Sequence, residues 1–112
     1  TDLCCPEATP RALHRAALQR VAAHRTALTT LFPGRPARGI VNRVMRELGP
    51  LNPAAPAFPL ATAAMALLRA HFEAQGSGDF SPLWSGQNAS GCQTIRATEL
   101  THQLAQGFEC SL

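Results

Sequence analysis

Leu60-Ala61-Thr62-Ala63-Ala64-Met65-Ala66-Leu67-Leu68-Arg69-Ala70-His71-Phe72 is the stretch whose reading decides the fold class. Leu60, Ala64, Leu67, Leu68 and Phe72 recur at steps of three and four, the spacing of one helical face. Gly76-Ser77-Gly78 then supplies the stop. Working upstream, residues 49–59 hold four prolines and predict a stiff connector without regular structure. Before it, Pro36 opens a second predicted helix, in which Ile40, Val41, Val44, Met45 and Leu48 recur until Gly49-Pro50 ends it. Thr26 to Phe32 is apolar and β-branched and is closed by Pro33-Gly34, the pattern of a short strand. Thr9-Pro10 places an N-cap before a first-turn proline, and Leu13, Ala16, Ala17, Leu18 and Val21 predict a helix from about residue 10 to residue 23. Downstream, a loop from residue 76 to about residue 93 leads to a last helix marked by Leu100, Leu104 and Phe108. The fold class is therefore mainly α, with about four helices and one or two short strands. Each helix has an apolar face, yet bulky core residues are few and loops are long. The helices are expected to pack against something not present in this chain, because small chains bury only a modest fraction of their surface.

The chain has 112 residues and is 46% hydrophobic, which excludes wholesale disorder. It begins with Thr1 rather than Met, which points to a processed product or an excised segment. Alanine fills about a sixth of the positions, all ten basic residues are arginine, and tyrosine is absent. This bias reads as coding background. The net charge of +3 is unevenly placed. Residues 1–50 carry eight arginines against Asp2, Glu7 and Glu47, whereas residues 51–112 are net acidic. The basic half suits either an anionic partner or a solvated surface. Arg11/Arg15 and Arg43/Arg46 lie on helix faces, but lysine and interleaved aromatics are missing, so nucleic acid is disfavoured. No apolar run approaches a membrane span, and the polar, arginine-rich residues 1–25 contain no signal-peptide core, so a cytoplasmic setting is expected. Cys4 and Cys5 are adjacent and Cys92 and Cys110 distant, which is no zinc spacing; unpaired thiols are favoured over two disulfides.

His14, His24, His71 and His102 lack helical metal-pair spacing and read as surface or helix-end residues. Glu73 and Asp79 flank a glycine-rich turn and read as solvated loop charges, while Ser81, Ser85 and Ser90 have no nucleophile elbow around them. Gly34-Arg35-Pro36-Ala37-Arg38-Gly39 has the donors to hold a phosphate at a helix start, but a structural role for its arginines is favoured two to one. The Asn88-Ala89-Ser90 sequon reads as accidental. Leu83-Trp84-Ser85-Gly86-Gln87 contains the one tryptophan. An aromatic ring followed by glycine and an amide can line a ligand pocket, and the plainer alternative is an indole filling a gap between helices.

Taken in order, Cys5-Pro6-Glu7-Ala8, Thr26-Ala27-Leu28-Thr29, Gly34 to Gly39 with Asn42-Arg43, and Gly76-Ser77-Gly78-Asp79-Phe80-Ser81-Pro82-Leu83-Trp84-Ser85-Gly86-Gln87 resemble the C-terminal portion of the nitronate monooxygenases, formerly called 2-nitropropane dioxygenases. Ala97-Thr98-Glu99-Leu100-Thr101 fits the last helix of that pattern. The resemblance implies an FMN-binding (β/α)8 barrel about three times this length, of which residues 1–112 would be the last barrel helix and a helical extension. It implies oxidation of alkyl nitronates by oxygen through reduced flavin, giving a carbonyl compound and nitrite. Thr1 would neighbour the FMN phosphate, and Trp84, Gly86 and Gln87 would wall the flavin or substrate pocket. The family's catalytic histidine lies upstream, and no histidine here matches its motif, so no catalytic residue or metal carries over. The segment alone is expected to be inactive, its partner being the missing barrel portion of the same protein.

Overall fold

In the computed structural model, residues 12–20 and 24–109 are described. The elements run α1 (Ala12–Leu18), β1 (Thr26–Thr29), β2 (Ala37–Ile40), α2 (Arg43–Leu48), α3 (Ala61–Ala74) and α4 (Ala97–Glu109). Four helices and two strands agree with a mainly α chain. The helix expected over residues 10–23 ends at Leu18, where Gln19 and Arg20 close a turn onto Ala16 and Ala17. Its expected outer residues, 10, 11 and 21–23, lie outside the described set, as do Thr1, Cys4, Cys5 and Cys110. Cys92 is a free, half-buried thiol.

The second helix is the clearest departure from the sequence reading. Residues 37–40, expected inside a helix from Pro36, form strand β2, and only Arg43–Leu48 is helical. β1 and β2 pair antiparallel, with Thr26 opposite Ile40 and Thr29 opposite Ala37. Ile40 also donates its N–H to the carbonyl of Leu83 at 2.8 Å, and Val41 donates to Arg25. These cross-chain bonds satisfy backbone groups that a helix would have satisfied locally, and Ile40 and Val41 are β-branched residues suited to a half-buried strand. Asn42 then sits extended at the N-cap of α2.

The core gathers around this hairpin. Leu31, Phe32, Val44 and Met45 form one buried cluster, covered by Met65, Phe80 and Trp84. Leu18, Ile40, Leu83 and Ala89 form the second, which seats α1 on the hairpin. Each such side chain contributes about 1.5–3 kcal/mol on full burial. Helix α3 meets the core through Ala61, which is fully buried, and Met65, while Thr62 donates to the carbonyl of Phe32 at 2.9 Å. Its leucine face looks outward, with Leu60, Leu67 and Leu68 exposed. The stripe that identified the helix is therefore not the face this chain buries. In α4, Leu104 and Phe108 are likewise exposed.

Two glycines are dictated by close approach. Gly34 turns the hairpin at φ +78°, and a Cβ there would lie 2.4 Å from the backbone nitrogen of Phe58. Gly39 lets the Leu83-Trp84 backbone close on β2, where a Cβ would meet the Leu83 carbonyl at 3.1 Å.

Candidate functional site around the Trp84 loop

Leu83, Trp84 and Ser85 run along the free side of β2 and join it through an isolated bridge. Gly39 and Trp84 form an antiparallel bridge, and Ser85 donates its N–H to the Arg38 carbonyl at 3.3 Å. The chain upstream of this bridge is fixed by Asn42. Its Nδ2 donates to the carbonyls of Gly78 at 3.0 Å and Ser81 at 2.8 Å, and Val44 donates its N–H to Asp79. Those two carbonyl acceptors settle the orientation of the Asn42 amide, because a flipped amide would turn oxygen toward oxygen. The remaining Asn42 Oδ1 is buried with no hydrogen-bond partner among the described residues.

Glu73 locks the same loop from α3. Its Oε1 accepts from Arg69 Nε at 2.8 Å and from the Ser81 hydroxyl at 2.6 Å, with only 18% of its side chain exposed. Glu73 is thus a half-buried strap and not the solvated loop charge expected of it. Asp79 is half-buried. Phe72 and Phe80 stack at 4.3 Å above this junction.

Of the expected pocket residues, Trp84 lies inward and Gly86 and Gln87 lie outward. The indole meets Phe32 edge to face, centroids 5.9 Å apart, and fills the gap between the hairpin and α3. It lines a cavity of about 200 Å³ with Phe32, Thr62, Met65 and Arg69. Beyond it Gly86 and Gln87 are exposed, and a Cβ at Gly86 would meet nothing within 4 Å. Gly86 and Gln87 thus present an open backbone face and an exposed amide on the side away from the packed indole. This cavity is smaller than the roughly 300–1,000 Å³ of usual ligand sites. No phosphate cradle lies among the described residues. The Gly34–Gly39 stretch, considered as an anion site at a helix start, leads into a strand. Arg35 stacks on the Phe58 ring at 4.1 Å and Arg38 donates to the Thr26 hydroxyl at 3.1 Å, which is the structural role favoured for both. Arg43 is held above its ordinary pKa by a hydrogen bond to the Glu47 carboxylate and by that group's charge.

One contact had no sequence signal. His14 on α1, read as an ordinary surface residue, places Nε2 2.8 Å from the carbonyl oxygen of Trp84, seventy residues away. Elsewhere, His71 packs edge-on against Phe72 and contacts Gln75. Among the described residues, no three His, Cys, Asp or Glu side chains gather as a metal site would require, and no helix is long and apolar enough to cross a membrane.

The hairpin, the Trp84 bridge and the flanking helices thus define an α-rich segment with a two-stranded sheet. Its relatives identify the segment. The nitronate monooxygenase family model matches residues 2–107. Nitronate monooxygenase of Pseudomonas aeruginosa is 37% identical over 103 residues, covering 91% of this chain and 29% of that protein. A probable nitronate monooxygenase of Bacillus subtilis is 31% identical over 105 residues, covering 93% and 30%. The solved structure of nitroalkane oxidase from Streptomyces ansochromogenes superposes with a TM-score of 0.81 at 36% identity, covering 93% of this chain and 30% of that one. The chain belongs to the nitronate monooxygenase family and spans about three tenths of the length of these relatives.

Proposed function

We propose that residues 1–112 are the C-terminal segment of an FMN-dependent nitronate monooxygenase, comprising the last helix of a (β/α)8 barrel and the helical extension after it. The whole protein would oxidise alkyl nitronates with molecular oxygen to a carbonyl compound and nitrite, in the cytoplasm. FMN, when bound, supplies the redox chemistry. In this reading Trp84, Gly86 and Gln87 contribute a wall of the flavin or substrate pocket, and Thr1 neighbours the phosphate. The segment alone would be inactive, because it spans only about three tenths of the length of its relatives and most of the barrel lies outside it.

The observation that carries the reading is the near-complete likeness of this chain to about three tenths of nitroalkane oxidase. The outward leucines of α3 and the apolar face of α4 agree with it, since soluble surfaces seldom carry so many large apolar side chains in one small chain. The other reading, a helical interaction module whose arginine-rich face binds an acidic partner, has less behind it. Arg35, Arg38 and Arg43 are each engaged within the chain.

Flavin absorbance and nitrite release with an alkyl nitronate, measured for the chain and for the full-length protein that carries it, test both halves. Flavin and nitrite with the full-length protein, and neither with the chain, is the expected result. Turnover by the 112 residues alone would overturn the claim of inactivity, and a full-length protein without flavin would overturn the enzyme reading.

A further inference from the structure

The His14 contact has no part in the reading above, although it ends on the loop that reading uses. We propose that His14 is the positioning residue of the Trp84–Gln87 wall, holding the Trp84 carbonyl so that Gly86 and Gln87 project at a set angle. The proposal rests on the assignment of that loop to the pocket.

A backbone carbonyl only accepts, so the 2.8 Å contact requires a hydrogen on His14 Nε2. The neutral ring is therefore the Nε2–H tautomer, with Nδ1 left as a bare acceptor, and the charged ring would donate through the same nitrogen. Each strand bond beside it is set from β2. Ile40 holds Leu83 at 2.8 Å, but the next bond, from Ser85 to Arg38, is stretched to 3.3 Å. Past Ser85, the hydroxyl of Ser85 reaches only the Gly86 carbonyl, and Gly86 and Gln87 are exposed. The Trp84–Ser85 peptide is thus held from both sides, by β2 and by α1, before the chain returns to the core at Ala89. Releasing the carbonyl frees that peptide plane to rotate, and rotation there swings Gly86 and Gln87 together. Helix α1 is in turn seated by Leu18 against Ile40 and Leu83, so the imidazole reaches the loop from a packed base.

Amide hydrogen exchange on the 112-residue chain separates positioning from simple support of the fold. In His14→Leu, exchange at Ser85 should quicken roughly tenfold while exchange at Ile40 stays as it was, since a local opening moves only the groups it exposes. His14→Gln, whose side-chain amide can donate to the same oxygen, should restore the Ser85 rate. Ser85 unchanged in His14→Leu, Ser85 and Ile40 quickened alike, or no rescue by His14→Gln would each overturn the proposal. Flavin retention by the unsubstituted full-length protein is read in parallel. Its failure alone removes the pocket reading, while the Ser85 result still decides whether His14 holds the loop.

Discussion

The indole of Trp84 stands edge-on to the ring of Phe32, perpendicular and with centroids 5.9 Å apart, closing the gap between the β1–β2 hairpin and α3. Edge-to-face pairs of this kind add about 0.5–1.5 kcal/mol beyond the area they bury. Trp84→Ala should therefore destabilise the chain by about 3 kcal/mol, cavity included. Trp84→Phe keeps a ring at the site and should cost about half as much. Urea midpoints for the two variants check the order. Equal midpoints for Trp84→Ala and the unsubstituted chain would mean that the indole is not packed as described.

Asn42 joins the start of α2 to the turn before the Trp84 bridge through one amide nitrogen and two carbonyls. Asn42→Ala leaves the Gly78 and Ser81 carbonyls without that donor and should cost about 2–3 kcal/mol. Asn42→Asp should be worse, because it directs a carboxylate at two carbonyl oxygens inside a site that is 5% exposed. Lowering the pH toward the carboxyl's own titration should recover part of that loss, since the protonated acid has one O–H to donate. Denaturation of both variants at neutral and acid pH tests this sign.

What could be read in advance divides along the range of the interactions. Helices α3 and α4 follow from local spacing, and both were legible from Leu60 to Phe72 and from Leu100 to Phe108. Residues 37–40 were not, because Ile40 and Val41 satisfy a helical period as readily as an extended one. What decides between them is the Leu83 carbonyl, forty-three positions beyond Ile40. The pocket candidates divide in the same way. The sequence leaves Trp84 open as a pocket wall or a plug, and its ring packs against Phe32 while the next residues stay exposed. His14 could not have been picked out, since its partner is a backbone carbonyl seventy residues away, which has no residue type to betray it. Glu73 was misjudged because a carboxylate beside a glycine-rich turn looks solvated until Arg69 and Ser81 are found on it.

Gly34 and Gly49 both have positive φ, but their surroundings differ. A Cβ at Gly34 would fall 2.4 Å from Phe58 nitrogen and 2.5 Å from the Pro56 carbonyl, whereas nothing lies within 4 Å of one at Gly49. Gly49→Ala should cost only the backbone strain, about 1–2 kcal/mol. Gly34→Ala adds a steric clash with backbone that cannot rotate away, for a total of about 3 kcal/mol or more. The two denaturation curves side by side separate strain from collision. Equal losses would show that the Phe58 segment yields freely.

Leu67 is 85% exposed and Phe108 is 77% exposed, on helices whose apolar sides meet little of this chain. If these faces exist to cover the remainder of a barrel, charge placed there should leave the segment's own fold untouched and spoil its assembly. Leu67→Asp and Phe108→Asp in the 112-residue chain should change its denaturation midpoint by no more than about 0.5 kcal/mol, as exposed positions usually do. Both should reduce self-association at high concentration, because a large apolar side chain is withdrawn from water-facing surface. In the full-length protein the same changes bury an unpaired carboxylate against apolar partners, which is strongly unfavourable. Flavin retention and nitrite release should then fall together, with lower thermal stability. A full-length Leu67→Asp protein as stable and as active as its parent would mean that this face of α3 remains open to solvent in the whole molecule, and the outward leucines would lose their place in the argument for a barrel beneath them.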